Sequence, residues 1–262
     1  MRYESPMLTY LKLAMAKPIK LTLLLMSVLL MEIPTIAADN TTKATPKVMP
    51  KVTPKVDQRA ADQYRQQGLS YRQQQRFDEA IAALEKSVSL DPNNLDGRII
   101  LGWTQHLAKQ PEAAALSLWE AAYRSPTATP VFNAIGIVYL VRGDLPQSVL
   151  LHSWAAMLKP DNEIAYYNLS LAYQRLQQYD LAIAYASQAM QLEPNNPHPF
   201  IAKAIAQWSS GDRSSAKQTW QQAISIDGRY NNAEFLNFLN EAGFSTDQIQ
   251  IAKQMVLSGN GL

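Results

Sequence analysis

The sequence predicts an all-α protein, a solenoid built from tandem helix-turn-helix units closed by C-terminal capping helices. Three observations carry this prediction. A turn phrase recurs, as LDPNN at 90–94, LKPDN at 158–162 and LEPNN at 192–196. The prolines Pro92, Pro126, Pro160 and Pro194 are each 34 residues apart, with Pro126 standing in the variant phrase YRSPTA. Small residues keep the same spacing, at Gly68, Gly102, Gly136, Ser170 and Ala204, at Ala80, Ala114, Ser148, Ala182 and Ala216, and at Ser87, Ala121, Ala155, Ala189 and Ala223. A fixed period of this length marks a repeat architecture in which each unit buries its apolar face on its neighbours. The absence of alternating apolar runs and a Gly count of only 10 in 262 residues argue against strands.

Residues 1–38 precede the repeats and are expected to be a signal peptide. Lys12, Lys17 and Lys20 lead into an apolar stretch at 21–31. Its length fits a secretory signal and is short for a membrane span. Cleavage is expected after Ala37 or Ala38. The competing reading is an uncleaved signal anchor, because Glu32 and Pro34 interrupt the approach to the cut site. The chain has no cysteine, which excludes a lipid-modified bacterial lipoprotein, disulfides and thiolate metal sites. Residues 39–57 carry Pro46, Pro50 and Pro54, each opening a Pro-Lys-Val triplet. Proline at every fourth position forbids a helix, so this stretch reads as an extended linker. The expected location is therefore an exported one, a periplasm or equivalent lumen, with membrane attachment only through the N-terminal segment.

Five repeats follow at 58–228, each with two stretches of helical spacing. Tyr64, Gly68 and Tyr71 share one helix face, as do Ala80, Leu84, Ser87 and Val88 on the next. Small residues at Gly68 and Ala80 let the paired axes approach closely. Asp78 is read as the cap of the second helix. Pro111 and Pro146 take nearby slots in later repeats, where a first-turn proline is tolerated. The proline after each second helix stops it. Arg98, Gln105 and Gln207 interrupt otherwise aromatic series, and Gly228 replaces the proline that is due.

The stretches YRQQGLSY and AIAALEKSVSLDP, NAIGIVYL and SVLLHSWAAMLKP, and YNLSLAYQRLQQYDLAIAYASQAMQLEP resemble the tetratricopeptide repeat (TPR) family over residues 61–228. The resemblance implies a right-handed superhelix and a concave groove that binds peptides or proteins. It also places the first helix of each hairpin on the inner wall. The groove candidates are then Ile99, Trp103, His106, Asn133, Ile137, Tyr167, Leu171, Gln174, Ile201, Ile205 and Trp208, with Leu140 beside them and Arg65, Leu69 and Arg72 in the first repeat. The wall is mostly apolar and aromatic from the second repeat onward and suits an amphipathic helix. Ile99, Ile137, Leu171 and Ile205 fit core packing between adjacent first helices equally well. Family members that clasp acidic chaperone tails use Lys, Arg and Asn at inner slots. Here Asn133 and Asn168 stand almost alone, so a carboxylate clamp is not expected.

Residues 229–262 leave the period. Ala233, Phe235, Leu236 and Leu239 mark a helix, Gly243 its stop, and Ser245 with Gln248 the capping box of a last helix carrying Ile249, Ile251, Ala252, Met255 and Val256. Capping of the array is expected; the alternative is that the last helix folds into the groove or docks on a partner.

Charge points away from nucleic acid: from residue 58 onward 16 basic residues face 18 acidic ones, with no basic stripe. His106, His152 and His198 fall in different slots, and no nucleophile motif or phosphate loop is present, so neither catalysis, cofactor nor metal is expected. The partner is expected to be a protein or peptide, held by a scaffold that assists assembly of an envelope or lumenal complex. The rival is an oligomerisation module acting through outer faces and the C-terminal helices.

Overall fold

A computed structural model describes residues 56–259. The signal reading and the linker up to residue 55 lie outside that range; Asp57, read as the end of the linker, caps the first helix by accepting from Ala60 N at 3.0 Å. Among the described residues ten helices form five hairpins: α1 (Gln58–Gln73) with α2 (Phe77–Leu90), α3 (Leu95–Leu107) with α4 (Pro111–Arg124), α5 (Thr129–Arg142) with α6 (Leu145–Leu158), α7 (Glu163–Arg175) with α8 (Tyr179–Leu192), and α9 (Pro197–Ser210) with α10 (Arg213–Ile226). Two 3-10 segments, Gly228–Asn231 and Phe235–Ala242, lead into α11 (Thr246–Gly259). No strand occurs among the described residues. Helices of the same rank neighbour one another, α5 on α7 and α7 on α9, so the first helices form one wall.

In the first three hairpins a glycine faces a large side chain 16 residues on. A Cβ on Gly68 would meet Leu84, one on Gly102 would meet Leu118, and one on Gly136 would meet the His152 ring. The fourth and fifth repeats occupy these slots with Ser170 and Ala186, and with Ala204 and Trp220. The second helices all stop alike. The backbone N–H groups of Asp91, Ser125, Lys159, Glu193 and Asp227 donate to the carbonyls of Ser87, Ala121, Ala155, Ala189 and Ala223, the small-residue series read from the sequence.

The turn phrase does two jobs. Asn94 caps α3 by accepting from Gly97 N at 2.8 Å, and Asn196 accepts from His198 N at 3.0 Å. Asn162 instead exchanges two hydrogen bonds with Asn133, at 3.0 and 3.1 Å, tying the turn before α7 to α5. Asp78 does not cap α2. That helix begins at Phe77 after Arg76, so Asp78 lies in its first turn and serves the helix dipole. Residues 235–242 are 3-10 rather than α-helical. Leu236 and Leu239, both fully buried, lie three apart, and three residues per turn put both on the wall. Gly243 closes this segment at φ 86°, and the Ser245–Gln248 capping box forms, with Ser245 N donating to Gln248 Oε1 at 2.9 Å.

The core falls into three clusters. A small one joins Ile81, Leu84 and Leu101 at the N-terminal end. A second runs from α4 to the start of α7. The third and most populous gathers Leu140, Tyr167, Leu171, Ile201 and Ile205 with Leu236, Leu239, Phe244 and Met255 of the C-terminal segment.

Candidate binding groove

The inner wall is divided by what covers it. In the first two repeats Arg65, Leu69, Arg72, Ile99, Trp103 and His106 keep partial exposure, and Ile137 extends this open area onto α5. Trp103 and His106 lie side by side, ring centroids 5.1 Å apart. Burial lowers the His106 pKa, and Lys109 adds to the effect. A neutral imidazole beside an indole is an amphipathic platform, apolar on its face and hydrogen-bonding at its edge. Arg72 makes no ion pair among the described residues, and Arg65 pairs with Asp62 of its own helix at 2.6 Å.

Beyond Ile137 the wall is occupied. Leu140, Ile201 and Ile205 are fully buried, and Tyr167, Leu171, Gln174 and Asn133 nearly so. The cover is the C-terminal segment. The Tyr167 hydroxyl donates to the Ala242 carbonyl at 2.6 Å, and Gln248 Nε2 donates to the Leu171 carbonyl at 3.1 Å. Phe244 meets Tyr167 edge-on, with centroids 6.0 Å apart. Burial, with Glu163 and Tyr230 nearby, raises the Tyr167 pKa well above the ordinary phenol range, so its hydroxyl remains a donor. The capping element therefore reaches the array through its concave side.

The eleven residues predicted to line one continuous groove separate accordingly. Ile99, Trp103, His106 and Ile137 line the open part. Tyr167, Leu171, Ile201 and Ile205 belong to the core shared with the C-terminal segment. Asn133 is paired with Asn162, and Gln174 donates to Ser209 Oγ at 3.1 Å. Trp208 is partly exposed, but Arg213 lies over its ring at 3.8 Å. Among the described residues no group of three or more His, Asp or Glu is placed to hold a metal ion.

The outer faces, expected as the contact surface of the rival reading, carry an apolar patch whose residues the sequence reading did not name. On the outer helices Leu116 and Tyr123 of α4 and Leu150 and Met157 of α6 are strongly exposed, with Trp119 between them. The signal was available. Slots 116 and 150, and 123 and 157, are 34 apart, and the other repeats fill them with Ala82, Ala184 and Gln218, and with Ser89, Gln191 and Ser225.

Stacked helical hairpins of this period with a concave first-helix wall define a helical repeat protein. Two of the repeats, residues 61–94 and 164–196, match the profile of the tetratricopeptide repeat family, and the other three keep the same 34-residue period. Among curated proteins the chain is similar to a BBSome complex member, BBS4, of Xenopus tropicalis, 31% identical over 114 residues. That alignment covers 43% of this chain and 22% of BBS4. The Bos taurus protein of the same description is 23% identical over 160 residues, covering 61% of this chain and 31% of its own. The chain thus spans less than a third of either relative. Among solved structures, Pseudomonas aeruginosa pilF matches with a TM-score of 0.60 and 20% identity, covering 76% of this chain and 90% of its own. The MamA protein matches at 0.55 and 23%, covering 65% and 93%. A thermophilic TPR protein of Thermus thermophilus matches at 0.57 and 19%, covering 76% and 99%. At these identities the structures establish the shared fold.

Proposed function

We propose that the chain is a protein-binding scaffold that holds an apolar segment of a partner on the open inner wall of its first three repeats. One observation carries this reading. Ile99, Trp103, His106 and Ile137 form a partly exposed apolar and aromatic strip on a wall whose part at Leu140, Tyr167, Leu171, Ile201 and Ile205 is already covered. Aromatic residues in such strips anchor interfaces, and a single buried anchor contributes about 2 kcal/mol or more. The site works by surface complementarity, with no catalysis, nucleic acid or cofactor. Residues 1–38 and the proline linker support an exported location, where the scaffold assists assembly of an envelope or lumenal complex, with uncleaved anchoring as the alternative. N-terminal sequencing of the mature chain should begin at residue 38 or 39; an intact Met1 would replace the cleaved signal with the anchor.

Crosslinking in the native host identifies the bound segment, and titration of that segment against purified protein tests the site. Trp103→Ala should weaken binding by about thirtyfold, the equivalent of a 2 kcal/mol anchor. Unchanged affinity would rule out the strip. The outer patch around Leu116 and Leu150 favours a second reading, self-association through the convex face. Paired substitutions Leu116→Asp and Leu150→Asp should then reduce the mass measured by light scattering, and an unaltered mass removes that reading.

A further inference from the structure

A closing helix that only shielded the end of the stack would lie on α9 and α10. The segment 235–259 lies on α9 and also reaches back along the inner wall to α7 and α5. Gly243 lies against Leu171 and Asn168 of α7, one repeat back from the last, and against Leu140 of α5, two repeats back. The segment carries its own local structure. The Ser245–Gln248 box starts α11, and Lys253 Nζ donates to Asn237 Oδ1 at 2.8 Å, joining α11 to the 3-10 segment. Its hydrogen bonds to the wall, among the described residues, are Tyr167 to the Ala242 carbonyl and Gln248 to the Leu171 carbonyl. Each uses one backbone carbonyl, so recognition asks little of sequence beyond one aromatic and one amide. The remaining contact is apolar, through Phe244, Ile249, Ala252, Met255 and Val256.

We propose that the inner wall of α5, α7 and α9 is a second recognition site, and that 235–259 is its resident ligand. The site takes a segment of defined chemistry: an aromatic plug that meets Tyr167, a capping box one residue on whose Gln reaches the Leu171 carbonyl, and an amphipathic helix. A partner segment of that chemistry exchanges with the resident one. Tethering gives the resident segment a local concentration in the millimolar range, on the order of what short linkers provide. A free segment at micromolar concentration therefore enters only when the resident contacts are weakened.

The probe is a fluorescein-labelled peptide of residues 235–259, titrated against the full chain and against the full chain carrying Phe244→Ala and Gln248→Ala. Anisotropy should show at least tenfold tighter binding to the variant, and Tyr167→Phe added to the variant should weaken it again. Equal binding to both proteins, with helical circular dichroism retained, overturns the proposal. Native-state hydrogen exchange on the unaltered protein decides the matter if the variant does not fold. Amides of 246–259 should open while those of α7 and α9 remain protected; joint exchange makes the segment inseparable core and overturns the proposal. Neither readout depends on Trp103, so the outcome is distinguishable from failure of the open strip.

Discussion

His152 shows how one side chain departs from its repeat. Its slot holds Leu84 and Leu118 in the first two repeats, and each faces a glycine on the paired helix. The imidazole keeps that geometry against Gly136 but is fully buried, and neither ring nitrogen has a partner with hydrogen-bond geometry. Burial pushes its pKa down to about 3, and the Gly136 backbone opposes this only in part. The unfolded chain binds this proton below about pH 6.5, whereas the folded chain does not bind it until about pH 3. Stability is therefore complete above about pH 6.5 and is lost as pH falls through that window, at about 1.4 kcal/mol per pH unit. His152→Leu restores the residue of the neighbouring repeats. Its stability advantage over the unaltered chain should grow by about 2 kcal/mol between pH 7 and pH 5 in denaturant titrations. Parallel pH profiles would show that the imidazole is not held neutral. Its slot was legible from the period, but its burial was not, because the sequence places His152 only on a helix and burial depends on Gly136 across the pair.

The hairpins turn at one repeated conformation. Gln75, Lys109, Gly143, Gln177 and Gly211 all have positive φ, between 59° and 97°, and are again 34 residues apart. Each follows the end of a first helix and reverses the chain into the second. Only two of the five are glycine, so the slot escaped a reading based on residue identity, whereas the proline and small-residue series were legible because their chemistry is invariant. The three other residues bear the left-handed penalty of about 1–2 kcal/mol, which outweighs the roughly 0.5–1 kcal/mol of extra chain entropy that glycine loses on folding. Lys109→Gly should therefore stabilise the protein by up to about 1 kcal/mol, while Gly143→Ala should destabilise it by a similar amount. Chemical denaturation of both variants checks the pair; the same sign for both would refute the account. The misread start of α2 has the same origin. Asp78 is chemically a cap, but the reversal at Gln75 sets the helix to begin at Phe77.

Across the array, stability follows how much apolar surface each hairpin shares with its neighbours. Helix solenoids behave as a chain of units coupled to their nearest neighbours, so an end with weak coupling opens first. The N-terminal hairpin shares only the cluster of Ile81, Leu84 and Leu101, and α1 itself buries just Ala61 and Gly68. The C-terminal hairpin is enclosed by Tyr230, Leu236, Leu239 and Phe244 in addition to its inner neighbours. The period made the hairpins legible, and the break in period made the C-terminal segment legible as separate. Its position on the concave wall was not, because Phe244 and Ile249 suit a cap on α10 as well as a plug on Tyr167. The resulting asymmetry places the open strip of α1, α3 and α5 in the less stable half, where small rearrangements around a bound segment cost least. Native-state hydrogen exchange should show α1 and α2 amides exchanging at least tenfold faster than those of α7 and α9, equivalent to a difference of about 1.4 kcal/mol in opening free energy. Binding of a partner segment to the strip should slow exchange in α1 and α3 while leaving α9 unaffected. Uniform protection along the array would mean that it opens as one unit, and the open strip would then lose its link to local stability.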